Sequence, residues 1–165
     1  MEHRHGTISP LNLLTLDRKA YSLVELVLVL VVIATLAAIA APRFATANSN
    51  YRAGAAANRI ATDLRLAQQR AKVGSKPVSV QFSLDDNEYR IVGEKSLKSA
   101  FANYVVILAE PPYHARLTAV ETGSNDTAIR FNGFGIPRHA ATITLQANGV
   151  GKTVTVSASG NVRVE

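Results

Sequence analysis

Glu25 is the only charged side chain in the apolar run Tyr21–Pro42, YSLVELVLVLVVIATLAAIAAP, and it follows the basic pair Arg18–Lys19. A carboxylate at mid-membrane in such a segment costs about 2.5–3.5 kcal/mol by insertion scales, so Glu25 asks for a cationic partner. The other candidates for chemistry are weaker. Gly151-Lys152-Thr153 resembles the tail of a phosphate-binding loop, but Gln146 stands where the first glycine belongs and strand patterns flank it. Gly133-Phe134-Gly135 lacks the third glycine and the following helix of a dinucleotide loop, and reads as a turn. His114 and His139 are single histidines without a spaced ligand partner, and Asp85, Asp86 and Glu88 lack the spacing of a calcium loop. The chain has no cysteine, which excludes disulfides, thiol nucleophiles and thiolate metal sites. No serine, histidine and carboxylate fall into a triad pattern, no set of residues asks for a cofactor, and the chain reads as a non-enzyme.

The elements that must position Glu25 follow from hydropathy patterning. Tyr21–Pro42 supplies roughly the 20 apolar residues that a helix needs to cross a bilayer. Lipid offers the backbone no hydrogen bonds, so a single span must be a helix. Residues 1–20 read as a leader. An ordinary secretory signal is the alternative, with Ala45-Thr46-Ala47 as a small-residue cleavage site. The acid at the start of the apolar core, and a core longer than the usual ~7–15 residues, argue against it.

Beyond Pro42 the chain turns basic, with Arg43, Arg52, Arg59, Arg65, Arg70 and Lys72 against the single acid Asp63. Ile60, Leu64, Ala67 and Ala71 recur at helical spacing, so residues 43–73 read as an amphipathic continuation of one helix from Ser22 to Val73, bent at Pro42. Its basic side is expected to be a solvated face or a filament contact. Gly74 followed by Pro77 is the stop signal.

From Pro77 the period is two. Val78–Phe82 and Tyr89–Val92 form a hairpin around Asp85-Asp86-Asn87, and further strands are expected at Tyr104–Leu108, Arg116–Val120, Ala128–Phe131, Ala141–Leu145, Thr153–Ser157 and Val162–Val164. The fold class is α+β, with a long N-terminal helix on an antiparallel sheet occupying residues 74–165. The formal net charge of +6 favours anionic partners, lipid headgroups and nucleic acid among them.

Lys19-Ala20 before Tyr21-Ser22-Leu23-Val24-Glu25, with the later Pro42, resembles the N-terminus of the type IV pilins and type II secretion pseudopilins. The resemblance implies that a prepilin peptidase cuts between Ala20 and Tyr21 and N-methylates Tyr21. Glu25 is then an assembly residue that pairs with the free amine of a neighbouring subunit. Ala20 replaces the family's usual glycine and Tyr21 its usual phenylalanine. Ala128–Pro137, Thr142–Leu145, Val154–Ser157 and Gly160-Asn161-Val162-Arg163 are similar to the C-terminal sheet of the GspH/FimT subgroup of minor pilins and pseudopilins. This implies a minor pseudopilin of a type II secretion system, anchored by one pass in the bacterial inner membrane with its N-terminus cytoplasmic and its β-domain periplasmic. Its implied partners are the prepilin peptidase, other minor pseudopilins, the major pseudopilin, the assembly platform, and membrane lipid before assembly. A FimT-like minor type IV pilin for pilus assembly or DNA uptake is the second reading. FimT-like members bind DNA through a Gly-Arg-x-Arg motif, of which this chain keeps Arg163 but has Asn161 at the first arginine. A signal-peptide-bearing secreted β-rich enzyme or binding protein is the third.

Overall fold

In the computed structural model the described residues are 22–96, 99–124 and 126–165, with side chains described outside 94–103. The chain divides into two units, one ending at Ala40 and the other comprising Ala41–Glu165. Helix α1 spans Leu23–Gly74 and is the one helix among the described residues long and apolar enough to cross a membrane.

Both ends of α1 are closed by local chemistry. Ser22 is the N-cap: its Oγ accepts from the Glu25 amide at 3.1 Å and its carbonyl from the Leu26 amide at 3.1 Å. Glu25 thus occupies the third helical position, the spacing of a capping box, where a carboxylate also meets the positive end of the helix dipole. At the other end Ser75 adopts φ 47°. Its amide donates to the Lys72 carbonyl at 3.3 Å, and the Lys76 amide donates to the Ala71 carbonyl at 3.2 Å, a Schellman closure. The left-handed residue is therefore Ser75, one position beyond the glycine that marks the stop in the sequence.

The second half of α1 carries the core. Ala53, Ala56, Ala57, Ile60, Ala61, Leu64, Ala67 and Ala71 are all buried, so the face that touches the strands is made mostly of methyl groups, which keeps the backbone close to them. The first half buries nothing: Leu23 through Ile39 present their apolar side chains outward.

Eight strands follow: β1 (Val78–Ser83), β2 (Glu88–Ser96), β3 (Ser99–Ile107), β4 (Arg116–Thr122), β5 (Ala128–Phe131), β6 (Ala141–Ala147), β7 (Val150–Val156) and β8 (Val162–Val164). They form antiparallel sheet, as the sequence reading expected, divided into two four-stranded sheets ordered β3-β2-β1-β5 and β4-β6-β7-β8, a division the patterning did not specify. The split arises because β4 pairs with β6 instead of β3, while β5 returns to β1. Strand patterns mark elements but do not specify which edges pair. Inward side chains of both sheets, including Val80, Tyr89, Phe131, Ile143, Leu145 and Val154, join the helix alanines in one core. The β6–β7 hairpin is tighter than expected. Asn148 and Gly149 at φ 46° and 83° make a two-residue turn, so pairing starts at Ala147–Val150 instead of at Thr153.

Candidate assembly site

Ala20 and Tyr21 lie outside the described residues. Glu25 is exposed in the capped first turn of α1. Pro42 sits inside α1, where the helix continues through it. Proline offers no amide to the carbonyl four residues back, and its own carbonyl accepts a second donor, the Thr46 hydroxyl at 3.1 Å.

The helix is tied to both sheets by polar groups that the sequence reading assigned no role. Asp63 is 3% exposed within the alanine face. Its Oδ1 accepts from the Tyr104 hydroxyl of β3 at 2.7 Å, and its Oδ2 from the Tyr89 hydroxyl of β2 at 2.5 Å and from Arg59 Nε at 2.9 Å. Arg59 Nη2 donates in turn to the Tyr104 hydroxyl at 2.8 Å, closing the cluster. Each partner answers a need of a buried carboxylate, which is costly without donors and a counter-charge. Burial, then the charge of Asp63 and its hydrogen bond, push the Tyr89 hydroxyl well above the ordinary tyrosine range. Burial, then the Asp63 hydrogen bond and charge, push Tyr104 up to about 12. Burial opposes the Arg59 charge, but the hydrogen bond and attraction of Asp63 outweigh it and raise its pKa. The cluster is built to hold its protons, not to exchange them. A signal for it exists in the sequence: Asp63 falls on the apolar stripe defined by Ile60, Leu64 and Ala67.

One turn further on, Arg65 Nη2 donates to the Val162 carbonyl at 2.8 Å, and Gln68 Nε2 donates to the carbonyls of Gly160 and Gly135 at 2.7 and 3.1 Å. Two of the cations read as a solvated face, Arg59 and Arg65, are thus spent on holding the strands. Gly160 has φ 87°, a left-handed conformation that favours glycine, and lies against the Gln68 side chain that bonds its carbonyl.

Arg163 is exposed on edge strand β8, opposite Thr155. Glu165 pairs with Thr153 through two backbone hydrogen bonds, which puts it on the same face two positions along. The remaining candidates are separated. Gly151-Lys152-Thr153 lies within β7, and Gly133-Phe134-Gly135 forms a turn. His139 packs against Gly123, His114 is exposed, and among the described residues no group of three or more His, Asp and Glu could hold a metal.

Comparison with known proteins agrees with this architecture. The family described as Type II transport protein GspH matches residues 56–160, more than half of the chain. Two solved structures of the minor pseudopilin EpsH from the Type 2 Secretion System of Vibrio cholerae superpose with TM-scores of 0.54 and 0.53 at 16% and 14% identity, each covering 69% of this chain and 96% and 95% of its own. The type IV minor pilin FimU of Pseudomonas aeruginosa superposes with a TM-score of 0.52 at 17% identity, over 70% of this chain and 90% of its own. At these identities the superpositions establish the fold. Among curated protein sequences none matches. With a capped apolar helix leading into an alanine-faced half that is bonded to two antiparallel sheets, the chain belongs to the GspH family and has the pilin-like fold of a structural subunit, not an enzyme.

Proposed function

We propose that the chain is a minor pseudopilin of a type II secretion system, a structural subunit of the pseudopilus, placed at its tip, that assists protein export across the outer membrane. The observation that carries this reading is the GspH family match over the globular part, which is joined to an apolar helix that buries none of its side chains. In this reading lipid covers Leu23–Ile39 before assembly and neighbouring helices cover them afterwards, with Ala34, Ala37, Ala38, Ala40 and Ala41 permitting close approach. A prepilin peptidase cuts between Ala20 and Tyr21 and methylates Tyr21, leaving the N-terminus cytoplasmic and the β-domain periplasmic. The leftover amine then meets Glu25 of a neighbour, Pro42 supplies a bend for packing, and an inner-membrane assembly platform drives extraction alongside the other minor pseudopilins and the major one. Glu25→Ala is expected to leave the protein inserted in the membrane but absent from sheared filaments; equal incorporation would remove Glu25 from assembly.

The FimU superposition supports a second reading, a minor type IV pilin for pilus assembly or DNA uptake. DNA contact through Arg163 ranks lower, because Glu165 shares its face and the second cation is missing at Asn161. Gel-shift titration of the detergent-solubilised chain at two salt concentrations tests it: the first reading expects no difference between the native chain and Arg163→Ala, while salt-sensitive binding lost in Arg163→Ala would favour DNA uptake.

A further inference from the structure

Between the apolar run and the turns that touch the strands, α1 has a short neck of different chemistry. Every residue from Ala41 to Asn48 is exposed, and burial begins at Ser49 and Ala53. Two aromatic rings stand on this stretch, Phe44 at 79% and Tyr51 at 76% exposure. Seven residues apart, they fall within about 20° of each other around the helix and roughly 10 Å apart along it. Their side of α1 is about half a turn from Ser49, Ala53 and Ala56, so the rings face away from the core.

Arg43 and Arg52 flank the aromatic pair, each about 90° round the helix and on opposite sides. Among the described residues neither guanidinium has an ion-pair partner, and α1 carries no Asp or Glu between Glu25 and Asp63. The rest of the neck is small or uncharged: the Thr46 hydroxyl donates to the Pro42 carbonyl, and Asn48 and Asn50 are exposed. All these groups belong to the unit Ala41–Glu165. Close helix packing favours small residues, as at Ala34–Ala41, whereas rings interleaved with unopposed cations suit a membrane–water interface. There an aromatic ring sits at headgroup level, and an arginine lays its stem along apolar surface while its charge reaches phosphate.

The position along the chain fits the same interface. Tyr21–Pro42 supplies the ~20 residues that cross the hydrocarbon core, so the residues that follow meet a headgroup layer roughly 5–7 Å deep. Arg43 and Arg52 lie roughly 13 Å apart along the helix, and side chains reaching toward each other bracket that layer.

We propose that Arg43, Phe44, Tyr51 and Arg52 form a collar that binds anionic phospholipid headgroups where α1 leaves the bilayer. The rings seat at the acyl boundary and the headgroup level, and the guanidinium groups take the phosphates. The proposal rests on the membrane-anchored reading and adds to it a set depth for the helix, which extraction into a filament has to undo.

The chain has no tryptophan, so a single introduced one reports its own surroundings. The full chain carrying Ile33→Trp, Phe44→Trp or Tyr51→Trp is reconstituted into phosphatidylglycerol or phosphatidylcholine vesicles, with quenchers placed deep in the acyl chains, at shallow acyl carbons or on the headgroup. Ile33→Trp is expected to be quenched best from the deep position, Phe44→Trp from the shallow one and Tyr51→Trp from the headgroup. The Tyr51→Trp quenching should be several-fold stronger in phosphatidylglycerol, weaken with added salt, and be lost when Arg43→Glu and Arg52→Glu are added. Quenching that is equal in both lipids and indifferent to the charge reversal would overturn the proposal. So would a Tyr51→Trp emission that is blue-shifted yet unquenched, which would mean that a second copy of the chain covers the ring. If Ile33→Trp is quenched while the tryptophans at 44 and 51 behave as in water, the collar is wrong and the anchored reading stands. An unquenched Ile33→Trp would remove the anchored reading and the collar with it.

Discussion

Asp63 shows how a single residue can join a helix to the strands around it. Its two oxygens receive three donors from β2, β3 and α1 itself, so helix rotation or strand slippage would strand a buried carboxylate. Tyr104→Phe removes a donor to a charged acceptor and is expected to lower stability at pH 7 by about 1.5–3 kcal/mol. The pH dependence follows from the raised Tyr104 pKa of about 12. An ordinary tyrosine in the unfolded chain titrates near ~10, so above that pH the folded state binds the extra proton. The contribution of Tyr104 is therefore complete below pH ~10 and is lost as pH rises through about 12. Melting temperatures of the native chain and Tyr104→Phe should differ by a constant amount at neutral pH and converge between those limits. A gap that stays constant would show that the hydroxyl is not held protonated by the cluster. The acid was visible in the sequence as the lone Asp on an apolar stripe. Its tyrosine partners were not, because they come from positions 26 and 41 residues away that only the strand pairing brings in.

The helix was the most legible element. Continuous apolar and then three–four periodicity puts its ends at Ser22 and Val73, and the structure runs Leu23–Gly74. What patterning missed is how the ends are made. The stop signal read from Gly74 is realised one residue later, in a Schellman closure whose left-handed position is held by Ser75 at φ 47°. A residue with a Cβ pays there for a conformation that glycine adopts freely. Ser75→Gly is expected to stabilise the globular part by about 0.5–1 kcal/mol, read as a raised midpoint in urea with an unchanged slope. A lowered midpoint would mean that the serine side chain contributes more than its backbone strain removes. Strands were legible as period-two runs between turns, and β5 and β8 fall where patterning puts them. Their division into two sheets was not, since β4–β6 and β1–β5 pairing depends on edges meeting in space.

On the scale of the whole molecule, two kinds of surface stand out. The apolar half of α1 leaves its side chains uncovered, whereas the alanine half is bonded to both sheets through Asp63, Arg65 and Gln68. This is the division of labour that a membrane-stored filament subunit requires: one segment exchanges lipid for helix contacts, and a separately built domain carries specificity. The GspH family match covers residues 56–160, within the globular unit, and the EpsH and FimU superpositions agree on the fold. The N-terminal motif that suggested it lies partly at Ala20 and Tyr21, ahead of the described residues, so processing there is the most direct test. Intact-mass and terminal-peptide spectrometry of the protein recovered from membranes should find a chain beginning at N-methylated Tyr21. A mature terminus near Asn48, following Ala45-Thr46-Ala47, would contradict the account by showing that the apolar helix is a discarded signal.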